Sequence, residues 1–210
     1  VKDSNGNLVQ GRTRWRRFAA VVIPAAVVAG GLMTGVAQGK VPVALNVSGQ
    51  SFKISADQLN GTGFTQYGSV AVKKDGTQIP VAASGIKSAT LSNLCQSVVV
   101  VPGHLSLVIR AGREAGNPAS AENLLIGMDA LAGDATFTNI DIGTDASALS
   151  KDGFSSHGQT GAFGQEADKV EIHNLKQRAY STNAGTFTLN GLSMKVDLTG
   201  YECFADSALN

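Results

Sequence analysis

Phe18 to Ala37 reads FAAVVIPAAVVAGGLMTGVA, 20 residues without a charge, and no feature of the chain constrains its folding more. As a helix rising 1.5 Å per residue, such a run covers about 30 Å, the thickness of a bilayer's hydrocarbon core. The preceding GRTRWRR places Arg12, Arg14, Arg16 and Arg17 beside it. By the positive-inside rule these arginines orient the span, with the N-terminus cytoplasmic and everything after it translocated. The predicted organisation is a basic cytoplasmic tail over 1–17, a single transmembrane helix over 18–37 and an extracytoplasmic domain over 38–210, at the cell membrane. A cleaved secretory signal is the competing reading, because Gly35-Val36-Ala37 offers small residues to a signal peptidase. Such signals have apolar cores of about 7 to 15 residues, shorter than this one. Gly31 and Gly35 form a G-x-x-x-G pair through which two such helices could pack.

Charge follows the same division. The formal net charge of +1 conceals Lys2 and the four arginines against Asp3 before residue 38. That leaves 12 basic and 15 acidic residues in the remainder, a net of −3. A mildly acidic main domain argues against nucleic acid as a partner. Both cysteines, Cys95 and Cys203, lie beyond the apolar run, where an oxidising compartment lets them pair as a disulfide.

From residue 38 onward the chain alternates apolar and polar residues in short runs broken by Gly, Asn and Asp. Examples are Val41 to Val47, Leu105 to Ile109 and Thr186 to Leu189. Period two over these lengths predicts strands with one buried face, and aromatic residues are only 6%. The predicted class is an all-β extracytoplasmic domain with internal duplication. The segment Ile54-Ser-Ala-Asp57-Gln-Leu59 is echoed by Ile126-Gly-Met-Asp129-Ala-Leu131, and Ser92-Asn93-Leu94-Cys95-Gln96 by His173-Asn174-Leu175-Lys176-Gln177. The copies fall at about 41–112 and 121–200, around a junction containing Gly116-Asn117-Pro118. Two architectures fit: a β-helix of stacked rungs, or a sandwich or flattened barrel in which each copy supplies one sheet. Recurrent asparagines at strand ends (Asn93, Asn139, Asn174) tilt the reading towards the β-helix.

Catalytic patterns are sparse. Gly153-Phe154-Ser155-Ser156-His157 approaches a nucleophile elbow but lacks the final glycine. His104, His157 and His173 could supply a base, yet no spacing places one beside a serine. Asn139, Asp141 and Asp145 present oxygens at alternate positions and form a calcium candidate, without the bidentate glutamate that loop sites use. No zinc pattern, phosphate-binding glycine loop or dinucleotide fingerprint is present, and no cofactor is predicted. Gly153 to Gln165 reads as a flexible glycine-rich loop over the domain.

RTRWRRFA, ISADQLNGTGFTQYGSV, SGIKSATLSNLCQS, ATFTNIDIGTDAS, GAFGQEADKVEIHNL and AGTFTLNGLSMKV together resemble a Streptomyces-type actinobacterial membrane-anchored family of unknown function. Some members carry the label cholesterol esterase. The resemblance implies an envelope protein whose gene neighbours one for a small polytopic membrane protein. The expected function is non-enzymatic: a structural or assembly subunit acting as a homo-oligomer or with that membrane partner. An extracytoplasmic lipid-binding module and a secreted esterase, with Ser155 as its nucleophile, are the alternatives.

Overall fold

The computed structural model describes residues 45–209. The predicted basic tail with its four arginines, the apolar run and the Gly31–Gly35 pair lie outside the described residues. Ten strands follow in order: β1 (Leu45–Val47), β2 (Phe52–Lys73), β3 (Gln78–Ser92), β4 (Leu94–Val101), β5 (Leu105–Ala111), β6 (Ala119–Thr138), β7 (Asp141–Asp145), β8 (Phe163–Asn183), β9 (Thr186–Thr188) and β10 (Ser193–Asp197). The domain is all-β, as its period-two alternation predicts, and no helix among the described residues is long and apolar enough to cross a membrane.

Four long strands close on themselves. β2 pairs with β3, β3 with β6, β6 with β8, and β8 returns to β2, every pair antiparallel. The β-helix expectation is therefore wrong, since stacked rungs pair in parallel. A ring instead satisfies each long strand's hydrogen-bonding groups on both sides. The ring buries Ile54, Leu59, Phe64, Leu91, Leu124 and Val170 together with Ala56, Ala89, Ala121 and Ala167. With few aromatic side chains to accommodate, alanines let opposite walls approach and fill the interior.

Strands of 20 or more residues cannot stay straight around so narrow a core, and asparagine supplies the bends. Asn93, Asn123, Asn139 and Asn174 all have φ between 51° and 54°. Leu91 and Leu94 both point inward although three residues apart, as do Ala121 with Leu124 and Ile172 with Leu175. Each left-handed asparagine resets the alternation by one residue, so the strand turns without losing its buried face. Three of the four also bond an aspartate on the neighbouring strand: Asn93 Nδ2 donates to Asp57 at 3.1 Å, Asn139 to Asp168 at 2.7 Å and Asn174 to Asp134 at 3.1 Å. The asparagines that suggested rung ends in sequence are thus bend points. Asn174→Ala is expected to cost about 1 to 2 kcal/mol, the usual price of a left-handed conformation for a β-carbon, whereas Asn174→Gly keeps the bend. Urea melts of the two variants test this, and equal stabilities would remove the bend from its assigned role.

Beyond the ring, β4, β5 and β10 extend the sheet as a flap, and among the described residues β10 is hydrogen-bonded to β5 alone. One face of the flap is covered by the C-terminal segment, which the Cys95–Cys203 disulfide fastens to β4. The Cys203 amide donates to Ser97 Oγ at 3.0 Å. The buried Lys53 ammonium meets Glu202 and Asp206, each at 3.0 Å, and donates to the Phe204 carbonyl at 3.1 Å.

Candidate functional site

Chemistry-bearing side chains gather in three places. The first is the segment between β7 and β8, which holds most of the loop predicted over Gly153 to Gln165 and is pinned to the barrel wall, while Phe163 to Gln165 belong to β8. Ala146 and Leu149 pack on Tyr67 and Ala83. Asp152 is fully buried and accepts from Thr65 Oγ1 at 2.5 Å and from the Phe154 amide at 3.0 Å. His157 Nε2 lies 2.8 Å from Asp152 Oδ1 and donates to it while the carboxylate is ionised. The wall is shaped for this contact. A β-carbon on Gly85 would stand 2.0 Å from Asp152 Oδ2, and one on Gly63 (φ +65°) 2.2 Å from the Lys151 carbonyl. Burial pushes the Asp152 carboxyl upward, but the bonds from His157, Thr65 and Phe154 outweigh it and hold the group below its ordinary range. Burial, and then the Asp152 charge, push the Tyr67 hydroxyl up to about 12, so it stays neutral at its edge-on contact with His157.

This cluster is not a hydrolytic triad. Its carboxylate lies between the threonine and the imidazole, so no base reaches the hydroxyl, which itself donates to Asp152. Ser155 is exposed while His157 is buried against Asp152. His104 is exposed on a turn, and His173 is exposed with its Nε2 2.8 Å from Glu171. The three histidines are thus far apart in role, and none is joined to a serine among the described residues.

The calcium candidates are not brought together either. The Lys151 ammonium occupies the space between Asp141 (3.3 Å), Asp168 (3.1 Å) and the Asn139 carbonyl (2.9 Å). Asp145 instead accepts from the Ser147 amide at 2.9 Å and the Gly161 amide at 2.8 Å, capping the 3-10 turn Ala146–Ala148. These bonds, from Ser147 first, hold its carboxyl below the ordinary range. Sequence spacing placed three oxygen donors on one strand but could not show that a lysine ten residues on would supply the positive charge. No cluster of three or more metal-ligating side chains exists among the described residues.

The second place is the barrel interior. A cavity of about 80 Å³ opens among Phe64, Ile86, Met128, Phe137 and Ile172. Its polar lining is Gln66, Ser84 and Gln177. Gln165 donates to Gln66 at 2.6 Å and Gln66 to Ser84 at 2.9 Å, a chain of neutral hydrogen bonds along the wall. The third place is β10, where Leu192, Met194, Val196 and Leu198 are 52–77% exposed at alternate positions.

Compared with known sequences, residues 48–204 match a family described as a family of unknown function, DUF6230. The chain belongs to this family. The DUF6230 match takes in the closed ring, the flap and the Cys95–Cys203 bridge, so the cavity and the exposed β10 stripe both lie inside the family's domain. Neither a curated protein nor a solved structure matches the chain.

Proposed function

We propose that the chain is a non-enzymatic, membrane-anchored envelope subunit whose barrel assembles with a second copy of itself through β10. The observation that carries this reading is the state of the two strands at the ends of the sheet. β7 is blunted in the usual way, by a register shift at Gly143 and by Asp141 and Asp145. β10 is regular and unbulged, with one neighbour among the described residues.

The face that β10 presents is apolar beyond the strand itself. Met194 lies opposite Ile109 and Val196 opposite Leu107, which in turn lies opposite Val98. Directly paired residues share a face, so five apolar side chains form one patch on the side of the flap away from the disulfide. Charge fits a second copy. In a two-fold antiparallel pairing centred on Val196, Lys195 stands opposite the second copy's Asp197, and Met194 opposite its Leu198. The Lys195–Asp197 contact within one strand, at 3.3 Å, is already made by these two groups and is exchanged rather than lost. A pairing that is self-complementary about a two-fold is what a closed dimer requires.

The uncharged run over 18–37 supports the anchor, and a helix pairing through Gly31 and Gly35 would reinforce the same dimer. The matching bends at Asn93 with Asp57 and at Asn174 with Asp134 support the internal duplication. The correspondence differs in detail from the sequence alignment, because Asp129 is held by the Arg178 guanidinium at 2.9 Å instead.

Native mass measurement of the full chain in detergent tests the proposal. The wild type is expected as a dimer or a multiple of it, and Met194→Lys with Val196→Lys as smaller species, about a tenfold or greater loss of association. Both positions are exposed, so the variant keeps its fold. A wild-type chain that stays single at all concentrations, or a double variant that associates unchanged, overturns the assignment to β10.

A further inference from the structure

The interior cavity has a property that packing defects lack. Gln177 points inward between Leu175 and Ala179 and is only 2% exposed. A polar side chain turned into an apolar interior carries a desolvation cost that a leucine at this position would not. The amide lines the cavity, as does Ser84, which accepts from Gln66.

The cavity also has an entrance. Leu131 lines it and is 40% exposed, and Ala135 beside it is exposed too. β6 is irregular over this stretch, with register shifts against β8 between Met128 and Ala130 and again between Ala132 and Asp134. The ring is therefore least regularly hydrogen-bonded where the cavity meets the surface, and bulges of this kind are common beside binding sites.

We propose that the barrel interior is a binding site for an aliphatic chain carrying a neutral hydrogen-bonding group, entered past Leu131 and Ala135 and read by the Gln177 amide. Size and charge define the class. About 80 Å³ is roughly half of an apolar cavity that holds benzene, so the site takes a few carbons, or the end of a longer chain. No charged side chain lines it, so the polar group it accepts is a hydroxyl or carbonyl rather than an ionised head. The inference is independent of association through β10.

Methyl NMR of the full chain, labelled at its three methionines and held in amphipol, reads this directly, with 1-pentanol and pentane as probes. Met128 lines the cavity, while Met194 stands exposed on β10 and serves as an internal control. The Met128 methyl is expected to shift saturably with 1-pentanol while Met194 does not, with pentane binding more weakly. In Gln177→Leu the preference for pentanol over pentane falls by about tenfold, the effect of one neutral hydrogen bond with its desolvation. Ala135→Trp, at an exposed position, blocks the entrance and abolishes the Met128 response. A Met128 methyl that does not move, a response shared linearly by Met194, or an unchanged pentanol preference in Gln177→Leu each overturns the proposal.

Discussion

Replacing Cys203 with serine is expected to lower the stability of the domain by about 3 to 5 kcal/mol, because the Cys95–Cys203 bridge spans 108 residues. In the chain-entropy account, a crosslink closing a loop of about this length restricts the unfolded ensemble by nearly 5 kcal/mol at 25 °C. The native state loses as well. The C-terminal segment reaches the flap through the Cys203 amide on Ser97, the Lys53 pairs with Glu202 and Asp206, and the Arg110 guanidinium on the Tyr201 hydroxyl at 2.9 Å. Without the bridge, these contacts must hold an irregular strand-free tail by themselves. Urea denaturation of the oxidised chain and of Cys203→Ser measures the difference. Amide exchange at Cys203 locates it, and is expected to accelerate more than exchange in β2 or β8. A loss under about 1 kcal/mol would mean that the side-chain contacts, rather than the bridge, hold this segment.

The second large effect is expected at Asp152. Asp152→Ala removes the partner of Thr65, of His157 and of the Phe154 amide in a buried site, and breaking such a set costs about 3 to 5 kcal/mol. Gly85→Ala should do the same damage while leaving the carboxylate in the sequence, since the new methyl group would displace Asp152 Oδ2. The two changes attack one contact, so the double variant should fall well short of the sum of the singles. The pH dependence has a definite sign. The folded state holds the Asp152 carboxyl below its ordinary 3.8. Its contribution is therefore complete above that value and is lost as the pH falls through the lower, folded value. The wild type should lose stability on acidification below about pH 4 more steeply than Asp152→Ala. Parallel pH profiles for the two proteins would show that the carboxylate is not held as its hydrogen bonds imply.

Much of the fold is legible in the residues. Alternation at Leu105 to Ile109 and Thr186 to Leu189 marks strands because period two needs only local geometry, and both segments lie in or against β5 and β9. The cysteine pair is legible because the chain holds only two. Ring closure is not, since β2 and β8 meet across more than a hundred residues and no local pattern records which strand a partner will be. The asparagines carried the right signal with the wrong meaning. A left-handed residue ends a strand or bends it, and only the neighbouring Asp57, Asp134 and Asp168 decide which.

The candidate sites divide in the same way. Gly153 to Gln165 reads as flexible because glycine is permissive, yet His157 and the Phe154 amide hold it to the buried Asp152, which is itself fixed against Thr65 and Gly85 in distant strands. The one available clue was Gly85, a glycine within a β pattern, which marks a close approach without naming what approaches. Gln177 looks like any polar residue of an alternating strand until the bend at Asn174 resets the register and turns it inward.

What the sequence determined by itself was local or compositional: the all-β class, the pairing of two cysteines, and the charge division on either side of the apolar run. Side-chain periodicity, residue count and charge are properties of neighbours along a chain, so they need no fold to be read. Only the tertiary structure decided that the ring closes, that Lys151 fills the space offered to calcium, and that an amide faces an apolar cavity. Each of these depends on groups far apart in sequence, whose meeting is fixed by register and by bends rather than by any one segment's preferences.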